Sequence, residues 1–154
     1  MSSAAEAASP PPRSHGFEYR LAAMSNYTIR NLEDDVENMA PKFGMAPAVE
    51  AHFARNELGT KLVGTTLFRV APNSRLPFGH RHEDQEEVYV VVEGSGRVKL
   101  DDEIVELRKF DAVRVSPETI RCFEGGPDGL GYLAFGGPSE QSVEAEFFPD
   151  FWTD

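Results

Sequence analysis

Beyond Gly59 the chain breaks into short runs that are either wholly apolar or alternate apolar with polar residues: KLVGTTLFRVA, EVYVVVEG, GRVKLDD, EIVELRKF, AVRVS, IRCFEGG and GLGYLAFGG. Gly, Asp, Asn and Pro separate them at intervals of roughly ten residues or fewer. That rhythm is the mark of an all-β sandwich or barrel and not of βαβ units. VVEGSGRVKL reads as a hairpin with a Gly-Ser-Gly tip, and LDDEIVEL as a second one turning at Asp101 and Asp102. In EVYVVV both faces are apolar, which predicts cover on both sides of that strand. A second copy of the chain is one way to supply it, so a homodimer is expected.

The flanks have a different texture. Residues 1–23, MSSAAEAASPPPRSHGFEYRLAA, are rich in Ala, Ser and Pro without an amphipathic period and read as a disordered tail. They lack the basic start and apolar stretch of a secretory signal. Patterned sequence opens at Met24, which makes Met24 an alternative start to Met1. Residues 24–59 read as an N-terminal arm with short helices. Asn31 is a candidate cap with acidic residues behind it, and Pro41, Gly44 and Pro47 are interruptions. APAVEAHFARNELG then reads as a second helix with Val49, His52 and Phe53 on one side and Gly59 as its stop. Residues 138–154 are acidic but carry Phe147, Phe148, Phe151 and Trp152. Aromatic side chains are costly to leave in water, so this tail is expected to pack on the barrel of residues 60–137 or on a partner.

A length of 154 residues suits one domain with a single core. The net charge of −11 argues against nucleic acid and anionic membranes as partners, since both would repel it. No apolar run reaches the ~18 residues of a membrane span. Cys122 is the sole cysteine, which excludes an intramolecular disulfide and suits a cytoplasmic setting. It reads as a small buried hydrophobe.

The stretch PFGHRHEDQEEVYVVVEG carries the chemistry. Residues two apart on a strand point to one face, so His80 and His82 present both imidazoles to the same side, with Phe78 beside them. A turn at EDQE lets Glu87 return on the neighbouring strand in phase with Tyr89. Two imidazoles and a carboxylate suit a divalent transition metal such as Fe, Mn, Ni or Zn.

His-x-His, four residues, Glu, six residues, Gly, here HRHEDQEEVYVVVEG, resembles the first motif of the cupin superfamily. GSGRVKLDDEIVELRKFDAVRVSPETIRCFE is similar to the second. The resemblance implies a double-stranded β-helix (jelly-roll) cupin barrel of the small single-domain kind, commonly paired into dimers. It makes Glu87, rather than Glu86, the ligand beside His80 and His82. It also makes dioxygenase- or isomerase-like chemistry on a small polar or anionic substrate plausible. Two departures stand out. Pro72-Asn73 replaces the usual Pro-Gly turn, and Arg121 stands where the second motif has its histidine, the usual fourth ligand.

Arginine has no lone pair to give a metal. A guanidinium about 4 Å from a dication meets a repulsion of about 8 kcal/mol at an effective dielectric near 20. Three arrangements follow. Arg121 pairs with Glu87 and the pocket is metal-free; or it leans away from a metal held by His80, His82 and Glu87 and clamps an anionic group; or it snorkels to solvent. Three functions are open: a metal-dependent enzyme, a metal-free binding module for a small anion or sugar with Arg121 paired to Glu87, and a structural barrel with a vestigial polar cluster. In the first two, Arg121, Phe78, Tyr89 and Phe123 contact the small molecule.

Overall fold

The computed structural model describes residues 26–137 and 145–153, and the expectations for residues 1–23 lie outside them. Eight antiparallel strands make up the fold: β1 (Val49–Phe53), β2 (Gly64–Val70), β3 (Phe78–His82), β4 (Glu87–Leu100), β5 (Glu103–Arg108), β6 (Ala112–Val115), β7 (Arg121–Gly136) and β8 (Ala145–Pro149). β4 and β7 are long enough to run through two sheets. In one sheet the order is β1, β2, the second half of β7, the first half of β4, and β6. In the other it is β5, the second half of β4, the first half of β7, β3 and β8. Two sheets joined by shared, bent strands make a jelly-roll barrel.

The bend explains the Gly-Ser-Gly stretch, which is not a hairpin tip. β4 passes straight through it, with irregular pairing to β7 between Val91 and Glu93 and between Gly94 and Gly96. Gly94 has φ +63°, and a Cβ there would lie 2.0 Å from the carbonyl oxygen of Gly129. A Cβ on Gly96 would lie 2.1 Å from that of Glu124. Glycine is needed because two backbones cross in close contact at a barrel corner. The turn at Asp101 and Asp102 is present: Leu100 pairs with Glu103, and Asp101 has φ 49°.

The arm before the barrel is mostly not helical. Asn31 Oδ1 accepts the N–H groups of Glu33 and Asp34 at 2.9 and 3.1 Å, but it closes a turn rather than a helix. A 3₁₀ turn covers Ala40–Phe43, and only Arg55–Leu58 (α1) is α-helical, ended by Gly59 at φ +70°. Val49–Phe53, expected in a helix, is strand β1, paired with β2. Its apolar residues fit both periods, and alternation prevails because β2 would otherwise expose an unpaired edge. His52 consequently lies on a strand, buried, with Nδ1 2.8 Å from the carbonyl oxygen of Val36.

The core is aromatic. Phe123 stacks on Tyr132 (4.3 Å between centroids), Tyr132 on Phe68 (5.2 Å), and Tyr89 packs against Phe123 (4.8 Å). Each such ring contributes about 1.5–3 kcal/mol by leaving water. Cys122 is buried, and its thiol is pushed up to about 11 by desolvation. Tyr89 and Val91 point into the barrel, while Val88, Val90 and Val92 are half-buried on its outer face. β8 lies along β3, and beyond it Trp152 is buried, with the guanidiniums of Arg75 and Arg97 at 4.7 and 5.4 Å from its ring. No helix among the described residues is long and apolar enough to cross a membrane.

Candidate metal centre

β3 fixes two of the three donors. Its alternation turns Phe78, His80 and His82 into the barrel and Gly79 and Arg81 outward, where Gly79 makes room for the Phe151 ring. The imidazoles sit 5.1 Å apart at 81°. Glu87 opens β4 and projects to the same interior. His80 Nε2 and His82 Nε2 lie 3.6 and 3.3 Å from Glu87 Oε2, and one donor atom from each of the three residues falls within 4.8 Å of the others.

Behind this group sits Arg121, with 0% exposure. Its Nη2 donates to Glu87 Oε2 at 3.0 Å and its Nε to Tyr89 Oη at 3.0 Å. Nη1 is directed at the carbonyl oxygens of Thr119 (2.9 Å), Pro117 (3.3 Å) and His80 (3.4 Å). Tyr89 Oη in turn donates to Glu87 Oε2. The guanidinium therefore occupies the corner expected of the missing imidazole. It neither snorkels to solvent nor reaches into the cavity to clamp an anion.

The protonation states follow from these partners. Burial opposes ionisation of Glu87, yet its contacts with His80, His82 and Tyr89 together hold its carboxyl well below the usual range. Desolvation lowers His80, the Glu87 contact opposes that shift, and the nearby Arg121 charge adds to the lowering. Burial, together with the Glu87 charge, keeps the Tyr89 phenol protonated. At neutral pH the site thus offers an ionised carboxylate and a neutral His80, the forms that ligate metals.

Does the donor set fit a metal? Both ring nitrogens of His82 are buried; among the described residues Nδ1 has no hydrogen-bond partner, and Nε2 has only the 3.3 Å approach to Glu87 Oε2. Buried polar atoms are rarely left so, and a metal bonded to one of them would satisfy it. Two imidazoles and one carboxylate on one side, with the rest of the sphere open, match the three-ligand facial set. The residues fit, with Arg121 as an opposing charge.

The donors line a cavity of about 530 Å³. Its other walls are chiefly apolar, from Met39, Phe43, Met45, Phe53, Phe68 and Leu76. Of the residues expected to contact a small molecule, Phe78 and Tyr89 line it; Phe123 lies behind the wall in the aromatic stack, and Arg121 behind it at Glu87. Sequence reasoning missed the contributions of the arm, and of Arg55, Glu57 and Gln85. Nothing local marks them, because they meet the barrel only through long-range packing. Phe147, on β8, is also a wall residue.

The profile of the cupin domain matches residues 66–125, spanning both motifs. Over those residues the chain carries a cupin domain. Solved structures share this fold. A cupin protein from Bacteroides fragilis is 20% identical, with 79% of this chain and 92% of that one covered and a TM-score of 0.62. The polyketide cyclase RemF from Streptomyces resistomycificus is 22% identical over 82% and 88% of the two chains, with a TM-score of 0.63. Salicylate 1,2-dioxygenase from Pseudoaminobacter salicylatoxidans is 18% identical over 64% of this chain and 30% of that one, with a TM-score of 0.53. Among curated proteins, none matches the sequence significantly.

Proposed function

We propose that this chain is a small-molecule pocket protein in which His80, His82 and Glu87 hold a divalent transition metal at the wall of an apolar cavity, and that it acts there as a metal-dependent enzyme. The supporting observation is the convergence of the three donors within 4.8 Å, with His82 Nδ1 lacking any hydrogen-bond partner among the described residues. Fe, Mn, Ni and Zn all suit such ligands. Bound there, the metal would supply Lewis-acid polarisation of an oxygen on the substrate.

The chain's own residues set the rest. Tyr89 and Arg121 grip Glu87 Oε2 from behind and fix the carboxylate's orientation, as outer hydrogen bonds commonly do for metal ligands. Met39, Phe43, Phe53 and Phe68 make much of the cavity wall apolar. This favours a largely apolar molecule bearing one oxygen donor over the small polar or anionic substrate expected from the sequence, because Arg121 is unavailable to it. RemF, by name a polyketide cyclase, and the salicylate dioxygenase are enzymes on related barrels, which is compatible with this reading.

The Arg121–Glu87 pair favours a second reading, a metal-free binding module, since the carboxylate already has a cationic partner. Equilibrium dialysis of untagged protein against Fe(II), Mn(II), Ni(II) and Zn(II), followed by elemental analysis, separates the two. The enzyme reading expects close to one metal per chain for at least one ion, lost in His82→Ala. Substoichiometric metal for all four leaves the binding module.

A further inference from the structure

The cavity has a second polar region that the metal reading does not use. Glu57, on α1, forms part of its wall. The helix packs at the start of β2, where Gly64 pairs with Gly136, which in turn pairs with Glu87. Two strand spacings separate this region from Glu87, roughly 10 Å across the sheet. Both glycines leave room for long polar side chains: a Cβ on Gly64 would lie 3.0 Å from Arg55 Nη2, and one on Gly136 2.8 Å from Gln85 Nε2. Those side chains are already engaged. Arg55 donates to the carbonyl oxygens of Lys61 and Gly137 at 3.3 and 3.4 Å, and Gln85 to that of Gly137 at 2.7 Å. Glu57 differs. Its Oε2 is shielded from water and has no hydrogen-bond donor among the described residues.

We propose that Glu57 is a ligand-binding residue that accepts a hydrogen bond from a hydroxyl or protonated amine on an otherwise apolar molecule seated in the cavity. Buried acceptors in native proteins are nearly always satisfied, and a cavity-wall carboxylate that the protein leaves without a donor draws one from the occupant. The last torsion of a glutamate side chain is broad, so the carboxylate can turn either oxygen toward that donor. A chain of net charge −11 also admits a cationic group more readily than an anionic one. The ligand is then two-ended, with a donor group at Glu57 and an apolar body against Phe53 and Phe68. The inference rests on the cavity being a small-molecule site and is independent of the metal.

Three probes with one ring system test it by calorimetry on the chelator-treated full chain, so that coordination to a metal cannot supply the preference: 1-naphthylmethylamine, 1-naphthalenemethanol and 1-(methoxymethyl)naphthalene. The wild type is expected to bind the amine and the alcohol at least tenfold more tightly than the ether, in line with a hydrogen bond to a charged acceptor. Glu57→Leu should bring all three within about twofold while leaving ether affinity unchanged, and Glu57→Gln should retain preference for the alcohol but lose it for the amine. Measurable ether binding with equal wild-type affinities, or a donor preference that survives Glu57→Leu, overturns the role of Glu57 alone. Failure of all three probes to bind overturns it together with the small-molecule reading of the cavity.

Discussion

Arg121 Nη2 donates to Glu87 Oε2 at 3.0 Å, and the guanidinium that does so has no solvent exposure. A permanent cation thus stands directly behind the only carboxylate of the candidate metal centre. Its Nε and Nη1 are spent on Tyr89 and on backbone carbonyls. The arrangement serves folding and metal binding in opposite directions.

For folding, the pair must stay intact. Arg121→Leu leaves Glu87 without its cation in a largely enclosed site, and breaking a buried pair in this way costs about 3–5 kcal/mol. Urea unfolding of the wild type and the variant should show a loss of that size. A loss below about 1 kcal/mol, the level of an exposed pair, would contradict the burial of the guanidinium.

For metal binding, the cation is an obstacle. Arg121→His removes the repulsion and adds an imidazole at the corner of the site. Zinc affinity measured by competition with a chromophoric chelator should rise at least a hundredfold, since about 2.7 kcal/mol is a small part of the repulsion estimated above. Unchanged affinity would mean that residue 121 does not face the metal donors.

Acid should weaken the metal-free protein in two stages. His80 has a folded-state pKa below its ordinary value, so the unfolded chain takes up a proton first, and stability present above about pH 6.5 declines as pH falls. Glu87, also depressed, contributes stability that is full above about pH 4.3 and is lost as pH falls toward its folded value. The charged and titratable neighbours of His80 are Glu87, Arg121 and His82, and those of Glu87 are His80, His82, Tyr89 and Arg121. Denaturation midpoints between pH 7.5 and 3 in chelator should therefore fall on acidification, and His80→Asn should flatten the upper part of the curve and, by removing a contact that holds Glu87 low, lessen the fall in the lower part.

Much of the candidate site was legible in the sequence because its three candidate donors sit on one tight strand–turn–strand segment, where period-2 alternation alone decides which way His80, His82 and Glu87 point. The position of Arg121 followed from the second motif, yet its partners did not: the choice between Glu87, a ligand and solvent depends on packing around Thr119 and Pro117. Two local readings failed for physical reasons. Val49–Phe53 carries apolar residues that satisfy helical and strand periods alike, and the free edge of β2 settled the matter. The glycines at 94 and 96 read as a turn because turns and close backbone crossings both demand the missing Cβ. The apolar wall of the cavity was not legible, since Met39, Phe53 and Phe147 reach it from distant parts of the chain.

The barrel corner gives its own prediction. Gly94→Ala places a Cβ against the Gly129 carbonyl at a left-handed backbone position, and should cost roughly 2–4 kcal/mol by combining overpacking with backbone strain. If Gly94 were instead at an exposed hairpin tip, the change would cost about 1 kcal/mol or less. Chemical denaturation distinguishes the two.

The tail gives another. Trp152 is the only tryptophan in the chain and is held beside Arg75 and Arg97, which both pair with Glu124. Trp152→Ala should lower stability by about 3 kcal/mol, measured by circular dichroism. In the wild type its fluorescence should be poorly quenched by acrylamide, and ready quenching would show the tail undocked.

The most direct test of the metal centre is anomalous diffraction from a crystal grown with Mn(II), Fe(II), Ni(II) or Zn(II). An anomalous peak within about 2.0–2.3 Å of one nitrogen of His80, one of His82 and an oxygen of Glu87 is the expected result. Crystals of the same protein that show no peak there for any of the four ions, with Arg121 still bonded to Glu87, would contradict it.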